Sequence, residues 1–173
     1  MIVDWEKIEG AWFQSAADAI VATATSNPTE RFYAGAFSAL YGDYSSILVP
    51  GFGLNSENSA RDVRWHPPDW RWSIIDEAHE RVRPLYQPLL ALDVDDSTFD
   101  ALWERHIDVL ATVSHRLTKL VRSHEIAVDP SAFSPEFFVG IIDFSQGDEA
   151  IDYLRRSVDE ATITSSGILE EEL

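Results

Sequence analysis

Apolar side chains recur every three or four residues near the start of the chain: Trp5, Ile8, Trp12, Ala16 and Ala19, with Phe13 and Ile20 widening the stripe. That period predicts an amphipathic helix over residues 4–24, capped by Asp4 and stopped at Thr25, Ser26, Asn27 and Pro28. The pattern then changes. Residues 31–40 (RFYAGAFSAL) and 44–49 (YSSILV) flank the turn-forming Tyr41, Gly42 and Asp43, and predict two strands of a hairpin. Alternation in the first places Phe32, Ala34 and Ala36 on one face and Tyr33, Gly35 and Phe37 on the other. Neither face is polar, so the strand is expected to be covered on both sides. Pro50, Gly51, Gly53 and the Asn and Ser positions up to Ser59 predict a loop.

Residues 61–72 read RDVRWHPPDWRW. Pro67 and Pro68 forbid a helix interior or a central strand, which leaves an ordered aromatic loop. At least two of Trp65, Trp70 and Trp72 are expected inside, because three exposed indoles on a monomer invite aggregation. A short helix starting near Ser73 and Ile74 is limited by Pro84 and Pro88, and Leu85, Leu89, Leu90 and Leu92 suit a second short helical segment. The longest periodic stretch is 97–122. Ser97 and Asp100 have capping-box spacing, and Phe99, Leu102, Trp103, Leu110, Val113 and Leu117 form the stripe, with one weak step at His106. Arg116, Lys119 and Arg122 lie where a helix C-terminus favours cations. Residues 137–144 (FFVGIIDF) predict a strand. Residues 148–160 predict a last helix packed through Ile151, Leu154 and Val158, with a fraying tail that ends LEEEL. Strands and helices do not alternate regularly. The expected class is therefore α+β: one domain over 1–173, a small mostly antiparallel sheet packed by helices.

Composition narrows the function classes. The 173 residues carry thirty Asp and Glu against thirteen Lys and Arg, a net charge of −17. Such a surface repels nucleic acid and anionic membrane and steers basic proteins. There is no cysteine, so thiolate chemistry and disulfides are excluded. The acidic start, MIVDWEKIEG, lacks the features of a signal peptide, and no apolar run approaches a membrane span, so a cytoplasmic protein is expected. Neither a phosphate-binding glycine loop nor a Gly-x-Ser-x-Gly elbow occurs. His66, His79, His106, His115 and His124 never fall four apart, the spacing that puts two metal ligands on one helical face. No cofactor or metal is expected.

Two readings compete for the remaining features. The acids Glu9, Asp76, Glu77, Glu80 and Asp143, with a groove lined by Trp65, Trp70 and Trp72, would suit a carboxylate-dependent hydrolase. The same indoles equally suit core anchors or interface anchors, with Arg64 and Arg71 stacked on them or paired with acids. The acids are also clustered. Residues 143–173 hold nine acids against two arginines, and residues 93–108 hold six against one. If these segments meet, they form one negative face.

The strand RFYAGAF, the loop GFGLNSEN and the segment RWHPPDWRW together resemble the bacterial family catalogued as domain of unknown function 4303. The resemblance rests on Phe32 and Tyr33, on Asn55 or Asn58 with Glu57, on Arg64 and Trp65, and on Asp69 and Trp70. Ser56 or Ser59 follows the asparagine where the family has threonine. It covers residues 5–165 in outline and brings no established enzyme activity. Small acidic bacterial proteins of this kind often serve as immunity proteins beside secreted toxins. The resemblance therefore implies an acidic binding or inhibitory protein, such as the immunity partner of a basic bacterial toxin. On this reading Trp70 and Trp72 are the candidate anchors, and Asp100 and Asp152 the candidate steering acids. A carboxylate-dependent hydrolase and a structural or regulatory domain without ligand remain the alternatives.

Overall fold

Helix α1 (Trp5–Ser26) starts where Asp4 accepts the Lys7 amide at 3.1 Å. It ends where the Asn27 side chain donates to the Thr23 carbonyl at 2.8 Å. Helix α2 (Asp96–Arg122) is capped by Asp95, which accepts from the Thr98 amide at 2.9 Å and the Ser97 hydroxyl at 2.6 Å. The cap thus lies two residues before the expected Ser97, because a carboxylate is the stronger acceptor at the positive end of a helix. The computed structural model describes residues 3–58, 64–73 and 75–171. Of the positions named above, Ser59, residues 61–63, Ile74 and Glu172 lie outside these, as does the side chain of Glu77.

Three strands form one sheet, in the order β2 (Gly51–Ser56), β1 (Phe32–Ser38), β3 (Phe133–Ile141). β1 pairs antiparallel with β2 and parallel with β3. The fold is α+β with a mixed sheet.

The partner of β1 is not the expected 44–49 segment but the glycine-bearing stretch that follows it. Two causes are visible. Asp43 ties the Ser45 and Ser46 side chains into a local turn, which competes with strand pairing. Gly53 lets a third segment lie across β2: a Cβ there would stand inside 3.0 Å of the Trp72 and Ser73 carbonyl oxygens. Leu54 and Ile75 amides complete that crossing, bonding to Trp72 and Phe52 carbonyls, each at 2.9 Å.

β1 is buried along its whole length. Its register slips between Phe32 and Ala34, with Tyr33 as the extra residue. A bulge of this kind breaks the alternation. Phe32 joins Phe37 in a main core with Trp12, Phe52, Leu110 and Phe137, between the sheet and α1 and α2. Tyr33 joins Ala34 and Ala36 in a second core with Trp65, Trp70 and Phe138. That core is closed by α3 (Glu149–Ser157), α4 (Glu160–Ser166) and α5 (Ile168–Glu171). The single helix expected over 148–160 is broken at Val158, because Asp159 caps α4 by accepting the Thr162 amide at 2.9 Å.

The free edge of β3 is covered by side chains. Arg122 donates to the Phe137 carbonyl at 2.8 Å, Thr118 accepts the Val139 amide at 2.9 Å, and Ser157 accepts the Ile141 amide at 2.8 Å. An edge so occupied is poorly suited to pairing with another chain. The weak step at His106 is a buried polar chain: the Trp12 indole donates to the Tyr86 hydroxyl at 3.0 Å, which lies 2.8 Å from His106 Nε2. Burial pushes His106 down to about 3, so the imidazole is neutral at pH 7.

Candidate functional site

Four large apolar side chains reach solvent among the described residues: Tyr41 (49% exposed), Tyr44 (57%), Leu48 (39%) and Leu90 (38%). All four lie on two cross-bonded segments. The Ile47 amide donates to the Leu89 carbonyl at 2.7 Å, and the Leu92 amide to the Ser45 carbonyl at 2.6 Å. The 41–48 loop is shaped by Asp43, whose carboxylate accepts from the Ser45 amide and from the hydroxyls of Tyr41, Ser45 and Ser46. These bonds, Ser45 first, hold Asp43 down at about 2. Beneath the loop Ile47 is fully buried. Leu40 is pinned at the loop's entry: its amide donates to Asp143 at 2.7 Å and its carbonyl accepts from Gln146 at 2.9 Å. Tyr44 adopts a left-handed backbone with φ 63°. That conformation costs a bulky residue roughly 1–2 kcal/mol, and it persists where the surroundings over-determine it.

The loop rests on the first half of α2. The Tyr44 ring lies 4.9 Å from that of Phe99. Gly42 sits so close to Phe99 and Trp103 that a Cβ would come within 3.0 Å of both rings. Trp103 in turn joins α2 to α3: its indole donates to the Tyr153 hydroxyl at 2.9 Å, and that hydroxyl donates to Glu149 at 2.6 Å. Burial, reinforced by Glu149, pushes Tyr153 up to about 12, so it remains a donor.

The two acidic segments meet here. Asp100, Glu104 and Asp108 follow one another at intervals of four, forming a stripe along α2. Arg156 of α3 reaches Glu104 at 2.9 Å and Asp108 at 2.6 Å. Glu149 and Asp152, both exposed, border the same open hollow as Glu104 and Tyr153. The acids outnumber the arginines on this face, so it stays negative.

Of the four residues expected at an interface, Asp100 and Asp152 are exposed on this face. Trp70 is not. It is 3% exposed, in the second core, and its indole donates to the Arg64 carbonyl at 3.1 Å. That burial removes it as an anchor. Trp72 is half-buried, 5.1 Å from the Phe32 ring and covered by the Arg71 guanidinium at 4.7 Å. It lines a separate groove of about 560 Å³ with Asp18, Asp76, Glu80 and Arg81. With Trp65 and Trp70 inside, the three indoles do not line a common groove. Tyr41 and Tyr44 carry no interface signal in the sequence, because both fall within the expected hairpin. The available signal for the loop was the run Tyr-Gly-Asp-Tyr-Ser-Ser, an acid followed by hydroxyls that fold back on it.

Of the acids weighed as catalytic partners, Asp76 and Glu80 share the groove beside Trp72, while Glu9 and Asp143 serve structural tasks elsewhere. Glu9 pairs with Arg116 at 2.7 Å, and Asp143 holds the Leu40 amide. Glu30, Asp95 and Asp159 are held below the usual carboxylate range, chiefly by the hydroxyls of Ser56, Ser97 and Thr162 respectively. Among the described residues no group of three acids or histidines is placed to hold a metal, and no helix is long and apolar enough to cross a membrane. No family model, curated protein or solved structure matches the chain.

Proposed function

We propose that the protein binds a basic protein partner through the tyrosine loop and the acids of α2 and α3, and does no chemistry of its own. The observation that carries this reading is the position of the exposed tyrosines: Tyr41 and Tyr44 flank Gly42 and Asp43 in a loop seated on Phe99 and Trp103 of α2, the helix that carries the acids bound by Arg156 of α3. Exposed rings in a polar, charged rim are the usual anatomy of a binding patch. Tyr41 and Tyr44 replace Trp70 and Trp72 as anchors, while Asp100 and Asp152 keep the steering role. An immunity protein that neutralises a basic bacterial toxin in the cytoplasm is the kind of protein this describes, in line with the family resemblance.

The test is capture from bacterial lysate at low salt on four parallel baits: wild type, Tyr41→Ala/Tyr44→Gly, Asp100→Asn/Asp152→Asn, and Trp72→Ala. A basic protein retained by wild type and Trp72→Ala, but weakened by the other two baits, supports the reading. Equal retention on all four, or loss only with Trp72→Ala, overturns it.

A further inference from the structure

A small, partly open pocket lies at the edge of the second core, away from the proposed binding face. Tyr33, Arg64, Trp65, Ser134 and Phe138 help line it, and it leaves about 50 Å³. An interior site needs about 10–15 Å³ to admit a water molecule. A group of a few heavy atoms therefore fits, and a sugar or nucleotide does not.

Three residues that line this pocket each carry a buried polar atom without a hydrogen-bond partner: Arg64 Nε, Trp65 Nε1 and Ser134 Oγ. Trp65 is 2% exposed and Ser134 8%. Buried donors are nearly always satisfied, so three orphans around one hollow need an explanation. The first two can only donate, and the hydroxyl is able to. Together they match an acceptor with several lone pairs.

Arg64 adds charge. Its guanidinium lies 5.1 Å from the centre of the Tyr33 ring and 5.0 Å from that of Trp65, and makes no ion pair among the described residues. It is also held in place. The Arg64 carbonyl accepts from the Tyr33 hydroxyl at 2.7 Å, the Trp70 indole at 3.1 Å and the Asn55 amide at 3.3 Å. Three donors on one carbonyl fix the backbone from which the guanidinium projects, so a ligand there meets a preorganised cation.

We propose that this pocket binds a small oxyanion, the carboxylate or phosphate group of a small molecule. Arg64 supplies the charge, and the Trp65 indole and Ser134 hydroxyl donate to the oxygens. The exposed Glu136 also lines the pocket and opposes an anion, as does the net charge of the chain. Salt screens charges beyond about 8 Å at physiological ionic strength, which mutes the distant acids; against the local Glu136 stand the Arg64 guanidinium and the two neutral donors.

The test is titration of ¹⁵N-labelled protein with sodium phosphate and, separately, sodium acetate, at pH 7 and constant ionic strength. Saturable movement of the Trp65 indole signal is expected. The indole signals of Trp12 and Trp103, already bonded to Tyr86 and Tyr153, stay still. Arg64→Gln is expected to weaken binding by roughly tenfold or more, the equivalent of one charge-assisted hydrogen bond, and Ser134→Ala by about threefold. Unmoved Trp12 and Trp103 signals report that each variant is folded, and Ser134→Ala decides the question if Arg64→Gln is not. Response to acetate alone identifies a carboxylate site, to phosphate alone a phosphate site, and to both a general oxyanion site. No saturable response to either anion, or wild-type affinity in the folded variants, overturns the proposal.

Discussion

The tryptophan segment 64–72 and the tyrosine loop 41–48 are made of similar material, aromatic rings set among turn-forming residues, yet they turn their rings in opposite directions. In the first, Trp65 and Trp70 are buried and packed with Tyr33 and Phe138. In the second, Tyr41 and Tyr44 are exposed, while the aliphatic Leu40 and Ile47 go inside. The difference lies in what holds each backbone. The tryptophan segment is fixed through its rings, with the Trp70 indole and Tyr33 hydroxyl converging on the Arg64 carbonyl. The tyrosine loop is fixed chiefly by Asp43 and by bonds to 89–92, with Tyr44 resting one side of its ring on Phe99, so about half of each tyrosine stays in solvent. The direction the rings face thus separates an aromatic segment that holds the fold together from one that presents its rings to solvent.

The largest effect should come from breaking that contrast directly. Trp65→Ala is expected to cost about 3–5 kcal/mol, through lost burial and a cavity. Tyr41→Ala should change stability by no more than about 0.5 kcal/mol, as for an ordinary surface site. Urea unfolding of the two variants measures both, and similar costs would mean that the loops do not differ in kind.

Acid separates the interior from the loop by window. His106 has a folded value near 3, below its ordinary 6.5. The unfolded chain takes up the proton first, so the contribution of neutral His106 is complete above pH 6.5 and is lost as the pH falls toward 3. The slope in that window is up to about 1.4 kcal/mol per pH unit. Asp43 has the same sign, since its folded value near 2 lies below 3.8, and its contribution survives until the pH drops below 3.8. Urea unfolding at a series of pH values should show the upper slope, and His106→Asn should remove it. Loss of the 41–48 fold, followed by amide exchange at Ser45, should begin only in the lower window.

Much of this architecture was legible in the sequence, and the exceptions have physical causes. The two long helices were found because their periods run over many turns and their ends are marked by Asp4 and by the cations near Arg122. β1 was found from its aromatic run, but not its faces, because a single extra residue at Tyr33 reverses the alternation. β2 reads as a loop in the sequence because Gly51 and Gly53 weaken a strand in isolation, whereas here Gly53 lets the Trp72 backbone approach. Clustering of the acids was visible in the sequence. Their meeting was not, because it depends on Arg156 and Trp103 packing α3 against α2.

A smaller effect tests how each loop is seated. Gly53→Ala forces a methyl against the backbone carbonyls of Trp72 and Ser73, which cannot swing away, and should cost about 1–3 kcal/mol. The nearest atoms that Gly42→Ala meets belong to the rings of Phe99 and Trp103 rather than to backbone. Those rings can shift, so its cost should fall below that of Gly53→Ala, near about 1 kcal/mol. Thermal unfolding ranks the two, and the reverse order would mean that the tyrosine loop is the more rigidly docked.

The smallest effect on folding, and the sharpest on function, belongs to the acids beside the tyrosine loop. Asp100 and Asp152 are exposed, so Asp100→Asn/Asp152→Asn should leave stability within about 0.5 kcal/mol of wild type. Exposed ion pairs contribute under about 1 kcal/mol each, so in the proposed complex these acids would act on encounter rather than on the closed state. With the captured basic partner, the double variant should slow association by about two- to tenfold at low salt and flatten its salt dependence, leaving dissociation nearly unchanged. Tyr44→Ala should do the reverse, speeding dissociation because an anchor ring is gone while the steering field remains. Surface plasmon resonance at two salt concentrations separates the two rates. A change in dissociation alone for the acid variant would move those acids from steering into the bound interface, and a Tyr44→Ala complex as long-lived as wild type would deprive the tyrosine loop of its role.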